Sequence, residues 1–408
     1  MNYQDSVRFL YSLGNEIQAA KLGLERIQLL LDALGNPERA GRFVHVAGTN
    51  GKGSTSAMIE AGLRAAGVRT GLYTSPHLME PTERIRITGE PVTTDQFAAA
   101  FTTMHETAER MLRDGLLDLH PTYFESVTAM AFLLFRDCAA GITVLEVGMG
   151  GRLDATNVVA PELCVITPID LDHQTFLGDT LTSIAGEKAG ILKPGVPAVF
   201  ATQHPEAEAV LRAQAQGSYT LASRCPVLDL RLDACGSRFR LGDAAIECPL
   251  AGAHQVENAR TAAIALRQLG YSADGIAMTR WPGRLERVRE RPEIILDGAH
   301  NPAGARALAE YIRQFYAGRK IWLLFGVMRD KAVAEIGQLL FPLAERVILT
   351  APANSRALPA AEIPAPSNAT RTRTVAEAVA LLSDAPEDSA VFITGSLFVV
   401  GEARAVLV

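Results

Sequence analysis

The sequence has few cysteines, and none of them forms a paired motif. The 408 residues include only five cysteines, an odd number, and no Cys-x-x-Cys pair occurs. Disulfide frameworks and structural zinc sites usually show an even number of cysteines or closely paired ones. The sequence therefore indicates neither kind of site, and we expect free, buried thiols.

Long apolar runs and basic clusters are also missing. The longest apolar stretch, Val127 to Phe135, is too short to span a bilayer, and the first ten residues lack a basic region followed by an apolar core. The net charge is −6, without a polybasic run, so the electrostatic footprint of a nucleic-acid binder is missing. We expect a cytoplasmic monomer with no membrane or nucleic-acid partner.

The chain has the length and composition of a folded protein with more than one core. It is 48% apolar and 21% charged, and 408 residues exceed what one hydrophobic core usually supports. The periodicity breaks between Trp281 and Pro292, where two prolines, a glycine and several arginines occur together. We predict two domains, residues 1–290 and 291–408.

Strands and helices alternate along both predicted domains. Such alternation is typical of an α/β fold with a mostly parallel, helix-covered sheet. In the first domain we predict strands at Phe43–Ala47, Thr143–Val147 and Leu163–Thr167, and helices at 24–34, 55–66 and 124–135. In the second we predict strands near 294–296, 321–325, 347–349 and 391–393. Between Val196 and Leu250 the pattern weakens, and we predict a small antiparallel sheet.

A glycine-rich loop follows the first predicted strand. It reads Gly48-Thr49-Asn50-Gly51-Lys52-Gly53-Ser54-Thr55. Glycines let a backbone approach a phosphate closely, a helix N-terminus attracts the anion, and a lysine followed by a hydroxyl residue reaches the outer phosphates or magnesium. The spacing is shorter than the usual phosphate-loop pattern, but a simple turn does not explain three glycines around a lysine. We predict a phosphate site.

Charged side chains occur near the carboxyl ends of the next strands, where ligands collect in open α/β sheets. Glu146 lies in an apolar strand that leads into glycines and needs a partner there, which a cation would supply. His173 is compatible with the same edge or with a structural role. Lys188 either pairs with a carboxylate such as Glu187 or, if burial deprotonates it, adds carbon dioxide and becomes a carbamate.

Ten short motifs occur in one order along nearly the whole chain. They are GTNGKGS, TSPHL, ERI, PTYFE, LEVGMGGRLDATN, LDH, EKAGI, WPGRLE, DGAHN and TGSLF. With them the sequence closely resembles the folylpolyglutamate synthase and bifunctional dihydrofolate synthase family of the Mur ligase superfamily. The resemblance implies a phosphate-loop ATPase domain with a mostly parallel sheet, a smaller C-terminal Rossmann-like domain, and an active site between them.

The resemblance also implies cofactors and the residues that hold them. The cofactors are ATP and Mg²⁺, with a monovalent cation left open. The residues implied for ATP are Thr49, Asn50, Gly51, Lys52, Gly53, Ser54, Thr55, Asn258, Arg284 and Asp297. Those implied for magnesium are Ser75, Glu146 and His173, although Ser75 also suits a plain turn before Pro76. Lys188 matches the lysine that is carbamylated in this family.

Further positions match the reacting and folate-binding parts of the family. Lys52, Lys188, Asp297, His300 and Ser396 are implied near the reacting groups, although the DGAHN segment also suits a helix N-cap. The folate-like substrate is implied to contact two segments and one loop. The first segment holds Gly23, Leu24, Glu25 and Arg26, which follow Leu22, and the second holds Thr122, Tyr123 and Phe124. The loop holds Arg152, Leu153 and Asp154. Phe398 stands where many relatives carry tyrosine, so no hydroxyl role is transferred to it.

The implied reaction activates a carboxylate as an acyl phosphate with ATP, after which the amine of L-glutamate attacks. Folate and dihydropteroate both remain open as the acid. One alternative is a Mur-type ligase acting on a UDP-sugar peptide, which is disfavoured because such enzymes are expected to carry an extra domain before the loop at Gly48. Another alternative is a non-catalytic nucleotide-binding regulator.

Overall fold

The computed structural model describes residues 1–14, 23–364, 366–367 and 369–408. These residues form two compact units that alternate along the chain. Unit 1 comprises Met1–His77, Pro81–Pro226 and Asn258–Met278, and unit 2 comprises Leu78–Glu80, Val227–Glu257 and Thr279–Val408. The sequence-based division is instead a single cut after residue 290.

Unit 1 contains an eight-stranded sheet. Its strands are β1 (Arg42–Ala47), β2 (Thr70–Tyr73), β3 (Ile85–Ile87), β4 (Glu90–Pro91), β5 (Ile142–Glu146), β6 (Leu163–Ile166), β7 (Ala198–Phe200) and β8 (Tyr219–Leu221). The order across the sheet is β4-β3-β2-β5-β1-β6-β7-β8. All neighbours from β2 to β8 are parallel, and β3 and β4 add an antiparallel edge. Strand β1 thus lies between β5 and β6, and the segments that follow these three strands meet at one edge.

The helices of unit 1 place apolar side chains over this sheet. They are α1 (Tyr3–Ser12), α2 (Glu25–Ala33), α3 (Lys52–Ala65), α4 (Thr94–Arg113), α5 (Tyr123–Asp137), α6 (Gln174–Leu177), α7 (Leu181–Ala189) and α8 (Pro205–Gln214). Helix α9 (Ala253–Gln268) starts within the range of unit 2 and continues in that of unit 1. Helices α4 and α5 begin with capping boxes at Thr93 and Thr122, which satisfy amide groups at their first turns.

Unit 2 contains two sheets. A three-stranded antiparallel sheet holds β9 (Leu228–Leu232), β10 (Ser237–Leu241) and β11 (Ala244–Cys248). The other sheet holds β12 (Glu286–Glu290), β13 (Glu293–Leu296), β14 (Ile321–Phe325), β15 (Arg346–Leu349), β16 (Thr370–Arg371) and β17 (Ala390–Thr394), in the order β12-β13-β17-β14-β15-β16. Only β12 is antiparallel to its neighbour. The helices are α10 (Pro302–Phe315), α11 (Val333–Leu340), α12 (Val375–Ala380) and α13 (Leu397–Leu407).

The structure confirms most of the predicted elements and corrects one region. The strands predicted near residues 43, 143, 163, 294, 321, 347 and 391 all form, within one or two residues of the predicted ends. The region 196–250 is only partly a small antiparallel sheet. Its first part forms β7 and β8, which extend the parallel sheet of unit 1, and only residues 228–248 form the antiparallel sheet.

The cysteine prediction is confirmed in its main point. All five cysteines are free, Cys164 and Cys248 are buried, and Cys235 is exposed. Burial raises the pKa of the Cys164 thiol to about 12 and that of Cys248 to about 11.

Among the described residues, no helix is long and apolar enough to span a membrane.

Candidate active site

The glycine-rich loop connects β1 directly to α3. The backbone N–H groups of Thr49 and Asn50 donate to the Pro168 carbonyl oxygen at 3.0 and 3.2 Å. The Thr49 hydroxyl contacts the backbone of Asp170, with oxygen-to-oxygen and oxygen-to-nitrogen distances of 3.0 and 3.1 Å. The loop is therefore anchored to the segment that follows the adjacent strand, β6.

Two glycines of the loop have no room for a side chain. At Gly48, with φ +147°, a Cβ atom would lie less than 3.0 Å from the Thr167 side chain, and at Gly51, with φ +84°, a Cβ atom would overlap the Asn258 amide group. Both conformations also favour glycine. Gly51 is the N-cap of α3 and makes no side-chain cap, and the N-terminus of a helix is a favourable position for an anion.

Two lysines, Lys52 at the start of α3 and Lys188 in α7, interact electrostatically. The ammonium group of Lys52 donates to the Thr49 carbonyl oxygen at 3.2 Å. Lys188, in α7, is buried, and its burial, followed by the charge of Lys52, lowers its pKa to about 7, while Asp172 and Asp154 act in the opposite direction. Close to neutral pH a large fraction of its amine is therefore uncharged.

Lys188 does not use its sequence neighbour as an ion-pair partner. The Glu187 carboxylate instead pairs with the Arg152 guanidinium, with an oxygen-to-nitrogen distance of 2.5 Å, and the Arg152 N–H donates to the Glu187 carbonyl at 2.8 Å. The Glu187–Lys188 form of the ion-pair alternative is therefore not seen, while a pairing of Lys188 with another carboxylate stays open, since Asp172 and Asp154 raise its pKa. Burial of this lysine beside a second lysine is the arrangement that the carbamate hypothesis needs.

Two of the three residues predicted for the metal are brought together. Glu146 ends β5, is buried, and accepts a hydrogen bond from the Ser75 backbone N–H at 3.0 Å. His173 begins the short helix α6 in the left-handed conformation, and its N–H donates to the Asp172 carboxylate at 2.8 Å. A buried carboxylate is the kind of oxygen donor that Mg²⁺ prefers, so Glu146 fits this ion.

The two segments predicted to bind folate are joined by a residue that the sequence did not single out. Glu125, in the first turn of α5, accepts hydrogen bonds from the Arg26 Nε and from the N–H and hydroxyl groups of Thr122, all at 2.8 Å. Gly23 and Leu24 immediately precede α2, which begins at Glu25. Leu22 lies outside the described residues. The Arg26–Glu125 pair therefore fixes the start of α2 against the start of α5.

An aromatic and cationic cluster surrounds Tyr123. The Tyr11 ring stacks on it at a centroid distance of 5.7 Å, and the Arg84 guanidinium lies 5.0 Å above its centroid. The Arg84 Nε donates to Nδ1 of His77 at 2.9 Å, and the Tyr11 hydroxyl lies 3.2 Å from His77 Nε2. Burial and the charge of Arg84 lower the pKa of His77 to about 3. Tyr11 and His77 were not predicted, and only the fold reveals their proximity.

The loop after β5 is shaped by a buried carboxylate. Asp154 accepts hydrogen bonds from the backbone N–H groups of Gly148, Met149 and Thr156 at 3.0 Å, and from the Thr156 hydroxyl. Burial raises its pKa, and these hydrogen bonds act against that rise. The Phe124 ring lies so close to Gly148 that a Cβ atom there would collide with it. Asp154 thus organises the loop, while the Arg152 side chain is largely exposed.

Three predicted residues of unit 2, Asp297, His300 and Ser396, lie on the segments that follow β13 and β17, and Arg284 lies just before β12. Asp297, directly after β13, is buried and accepts from the Leu285 and Ala299 N–H groups, each at 3.0 Å. Burial raises the pKa of Asp297, and the neighbouring Arg284 charge lowers it.

The other predicted residues of unit 2 contact the backbone close to them in sequence. His300 Nδ1 lies 2.8 Å from the Gly298 carbonyl oxygen. Ser396 caps α13 and accepts from the Phe398 N–H at 3.2 Å. In the DGAHN segment the capping residue is Asn301, at the start of α10.

A parallel sheet with a glycine-rich phosphate loop after its central strand, and with a buried lysine and carboxylate on the neighbouring segments, defines a nucleotide-dependent α/β enzyme. Two family descriptions match the chain, "Mur ligase middle domain" over residues 46–266 and "Mur ligase, glutamate ligase domain" over residues 283–397.

Relatives and solved structures narrow the class. The folylpolyglutamate synthase of Lacticaseibacillus casei is 37% identical over 429 residues, which cover 100% of this chain and 99% of that protein. The dihydrofolate synthase/folylpolyglutamate synthase of Bacillus subtilis is 37% identical over 365 residues, covering 85% and 84%. A Mycobacterium tuberculosis folylpolyglutamate synthase, crystallised with ADP and AMPPCP, superimposes with a TM-score of 0.90 at 33% identity, covering 100% and 99%. The chain belongs to the folylpolyglutamate synthase family of Mur ligases and is an ATP-dependent ligase.

Proposed function

We propose that this enzyme joins L-glutamate to a reduced folate, lengthening a polyglutamate tail through an acyl-phosphate intermediate. Membership in the folylpolyglutamate synthase family supports this function. The observation that carries it is the phosphate loop with two glycines that admit no side chain, anchored beside a buried lysine of lowered pKa. Its cofactors are ATP and Mg²⁺.

The nucleotide is assigned to the phosphate loop. Lys52 and the N–H groups at the start of α3 would bind the outer phosphates, together with Thr49, Asn50, Gly51, Gly53, Ser54 and Thr55. Asn258 is a further candidate because its amide lies against Gly51. Since the transferred phosphoryl group carries charge on its outer oxygens, fixed positive groups at this point stabilise the transition state.

Magnesium is assigned to Ser75, Glu146 and His173. When bound, the ion would neutralise phosphate charge. Lys188 supports this assignment in a second way, because its uncharged amine is a nucleophile toward carbon dioxide. The nitrogen would form a bond to carbon, a proton would leave, and the resulting carbamate would supply an anionic oxygen donor.

The folate is assigned to Gly23–Arg26, Thr122–Phe124 and the loop of Arg152, Leu153 and Asp154. The joining of the first two segments through Glu125 supports this assignment. The roles of these residues differ, since Arg26 and Asp154 are engaged in holding the fold. The aromatic side chains of Tyr123 and Phe124 would contact the ring system of the substrate.

The second group of reacting residues is assigned to unit 2, namely Arg284, Asp297, His300 and Ser396. In the proposed reaction a carboxylate oxygen of the folate attacks the terminal phosphorus of ATP, and ADP leaves. The amine of glutamate then attacks the acyl carbon, phosphate leaves, and the amine loses a proton. Most of the acceleration comes from positioning and from fixed charge, and no covalent enzyme nucleophile is needed.

Dihydropteroate is a second candidate acid. The Bacillus subtilis relative, which carries both activities in its name, is as similar in identity as the L. casei folylpolyglutamate synthase. Purified enzyme should be given tetrahydrofolate, dihydropteroate or a UDP-sugar peptide, each with ATP, Mg²⁺ and glutamate, and the products weighed by mass spectrometry. A glutamate adduct of tetrahydrofolate is expected. An adduct on the UDP-sugar peptide alone would refute the proposal.

The same preparation tests two broader expectations. We propose a monomer with a cytoplasmic location, as the composition indicates. Light scattering of the purified chain and fractionation of the producing cells measure these properties directly.

A further inference from the structure

A group of three side chains on α4 and on the segment before α5 has no part in the proposed reaction. His105 and Glu109 are on α4, and His120 is in the segment that leads into α5. One ligand atom from each lies within 4.8 Å of those from the others. We propose that this trio, which we call the His-His-Glu cluster, binds a transition-metal ion, with Zn²⁺ as the best match.

The fold brings the three residues together from two elements. His105 and Glu109 are four residues apart, so their side chains share one face of α4. Helix α4 packs along α5, and this packing places His120 opposite that face. The Nε2 atom of His120 lies 3.9 Å from a carboxylate oxygen of Glu109.

Two imidazole nitrogens of the cluster are buried and, within the part of the chain that the structure describes, lack a hydrogen-bond partner, and a bound metal ion would supply one. Nδ1 of His105 and Nε2 of His120 are both inaccessible to solvent, and neither has a hydrogen-bond partner among the described residues. Buried polar atoms without partners are uncommon because each carries a desolvation cost. The second nitrogen of His120, Nδ1, lies 2.9 Å from the Pro121 carbonyl oxygen. This contact leaves the Nε2 lone pair for a ligand, an arrangement typical of metal-bound histidines.

Aromatic rings enclose one side of the cluster. The Phe9 ring meets the imidazoles of His105 and His120 edge-on, with centroid distances of 4.4 and 5.3 Å, and Phe101 stacks on His105 at 5.3 Å. The other side is open, since 41% of the Glu109 side chain is exposed. An apolar wall with one accessible carboxylate both orients the ligands and provides an entry path.

The donor set selects the kind of ion. Two imidazoles and one carboxylate suit Zn²⁺ and similar transition metals, which accept three protein ligands with a water in the fourth position. Mg²⁺ prefers oxygen donors. Ligand atoms on one tetrahedral zinc lie roughly 3.4 Å apart. Side-chain rotations would therefore have to move the ligand atoms by distances on the order of 1 Å to bring all three onto the ion.

A bound ion would join α4 to the segment that carries Thr122 and Tyr123. It would act as a cross-link between two elements of unit 1, independent of nucleotide. The inference rests on the three side chains and their surroundings, so it stands or fails separately from the proposed ligase function.

The test is a metal titration of the full-length chain without an affinity tag. Protein first treated with a chelator is titrated with Zn²⁺, and separately with Co²⁺ as a coloured probe, in the absence of nucleotide. We expect one ion per chain, a visible cobalt spectrum of a nitrogen and oxygen site, no sulfur-to-cobalt charge-transfer absorption, and no competition from excess Mg²⁺. We also expect Zn²⁺ to raise the melting temperature.

Variants identify the ligands. Glu109→Gln, His120→Gln and His105→Gln are each expected to weaken Zn²⁺ binding by more than about tenfold, since loss of even an outer partner of a metal ligand costs about 10–100-fold. Asp95→Asn is the control, because Asp95 is an exposed carboxylate on the same helix, ten residues before His105 and outside the cluster. It removes the same charge and should leave the affinity unchanged.

Several results would overturn the inference. They are no saturable binding of either ion, a sulfur-to-cobalt band that assigns the ion to a cysteine, or equal affinities of wild type and Glu109→Gln. His105→Gln could loosen the packing of Phe9 and Phe101. Glu109→Gln carries the decisive comparison because its partly exposed side chain changes without disturbing that packing.

Discussion

The Arg26–Glu125 ion pair is expected to be among the most costly side-chain interactions to break in unit 1. The two side chains are 16% and 7% exposed, and the Nε-to-oxygen distance is 2.8 Å. Breaking a buried pair by removing one partner costs about 3–5 kcal/mol, because the other charge stays buried. Glu125→Ala also removes one half of the capping box of α5, which contributes about 1 kcal/mol.

We expect Glu125→Ala to lower the free energy of unfolding by about 3–5 kcal/mol, taking the lower part of the ion-pair range because Arg26 is not fully buried. Since 1 kcal/mol shifts the melting temperature of a unit of this size by about 2–4 °C, the expected decrease is on the order of 6–20 °C. Differential scanning calorimetry of the full chain measures it. Glu125→Gln, which keeps an acceptor for the cap, should be milder.

A pair with the same geometry and greater exposure is the control. Arg42 and Glu162 lie 2.7 Å apart, with side chains 55% and 26% exposed, and pairs of this kind contribute about 0–1 kcal/mol. Glu162→Ala should therefore shift the melting temperature by only a few degrees, on the order of 0–4 °C. Equal shifts for Glu125→Ala and Glu162→Ala would refute the argument from burial. Replacing Arg26 and Glu125 together by leucine should cost less than Glu125→Ala alone.

Three further predictions concern the phosphate loop and its neighbours. Gly51→Ala should abolish AMPPCP binding in calorimetry, because the added Cβ would overlap the Asn258 side chain. The control Gly67→Ala, at a similar φ of +81° but with open space around it, should bind AMPPCP normally. Normal binding by both variants would contradict the overlap argument. Glu146→Ala should abolish Mg²⁺-dependent ligation, and unchanged turnover would remove the metal assignment. Because the folded pKa of Lys188 is about 7, below its unfolded value near 10.5, the unfolded state binds more protons between these values, and stability should rise with pH across this window. Urea unfolding in carbon-dioxide-free buffer should show this rise in wild type and lose it in Lys188→Met, and parallel profiles would argue against the lowered pKa.

The sequence predicted best those features that depend on neighbouring residues. The phosphate loop is readable because its glycines, lysine and hydroxyl residue are consecutive. The strands that were predicted in both units are mostly apolar runs between breakers. The strands β7 and β8 were misassigned because each has only three residues and lies among prolines and polar residues. Their place in the sheet depends on the parallel pairing of β7 with β6 and of β8 with β7, which local patterns do not encode.

The site was predictable in its residues but not in their partners. The Arg26–Glu125 pair joins positions 99 apart, and no local pattern indicates which carboxylate an arginine reaches. The same holds for Tyr11 and His77, 66 positions apart. Likewise Lys188 stands beside Glu187 in sequence, yet the helix directs Glu187 toward Arg152. The pKa values and ion pairs of the site depend on burial and on contacts between residues far apart in sequence. Both are known only once the chain is folded.

Helix α3 has one more property that matters for anyone who wishes to alter this enzyme. Its residues 53–63 are all buried, and a Cβ atom on Gly62 would collide with Leu266 of α9. A helix surrounded in this way has no face on which substitutions are neutral. A library of random variants should therefore show an uninterrupted block of intolerance from Gly48 to Leu63, without the alternation of three or four residues that a surface helix would give. Efforts to change nucleotide preference would gain more from varying residues around this helix than from varying the helix itself.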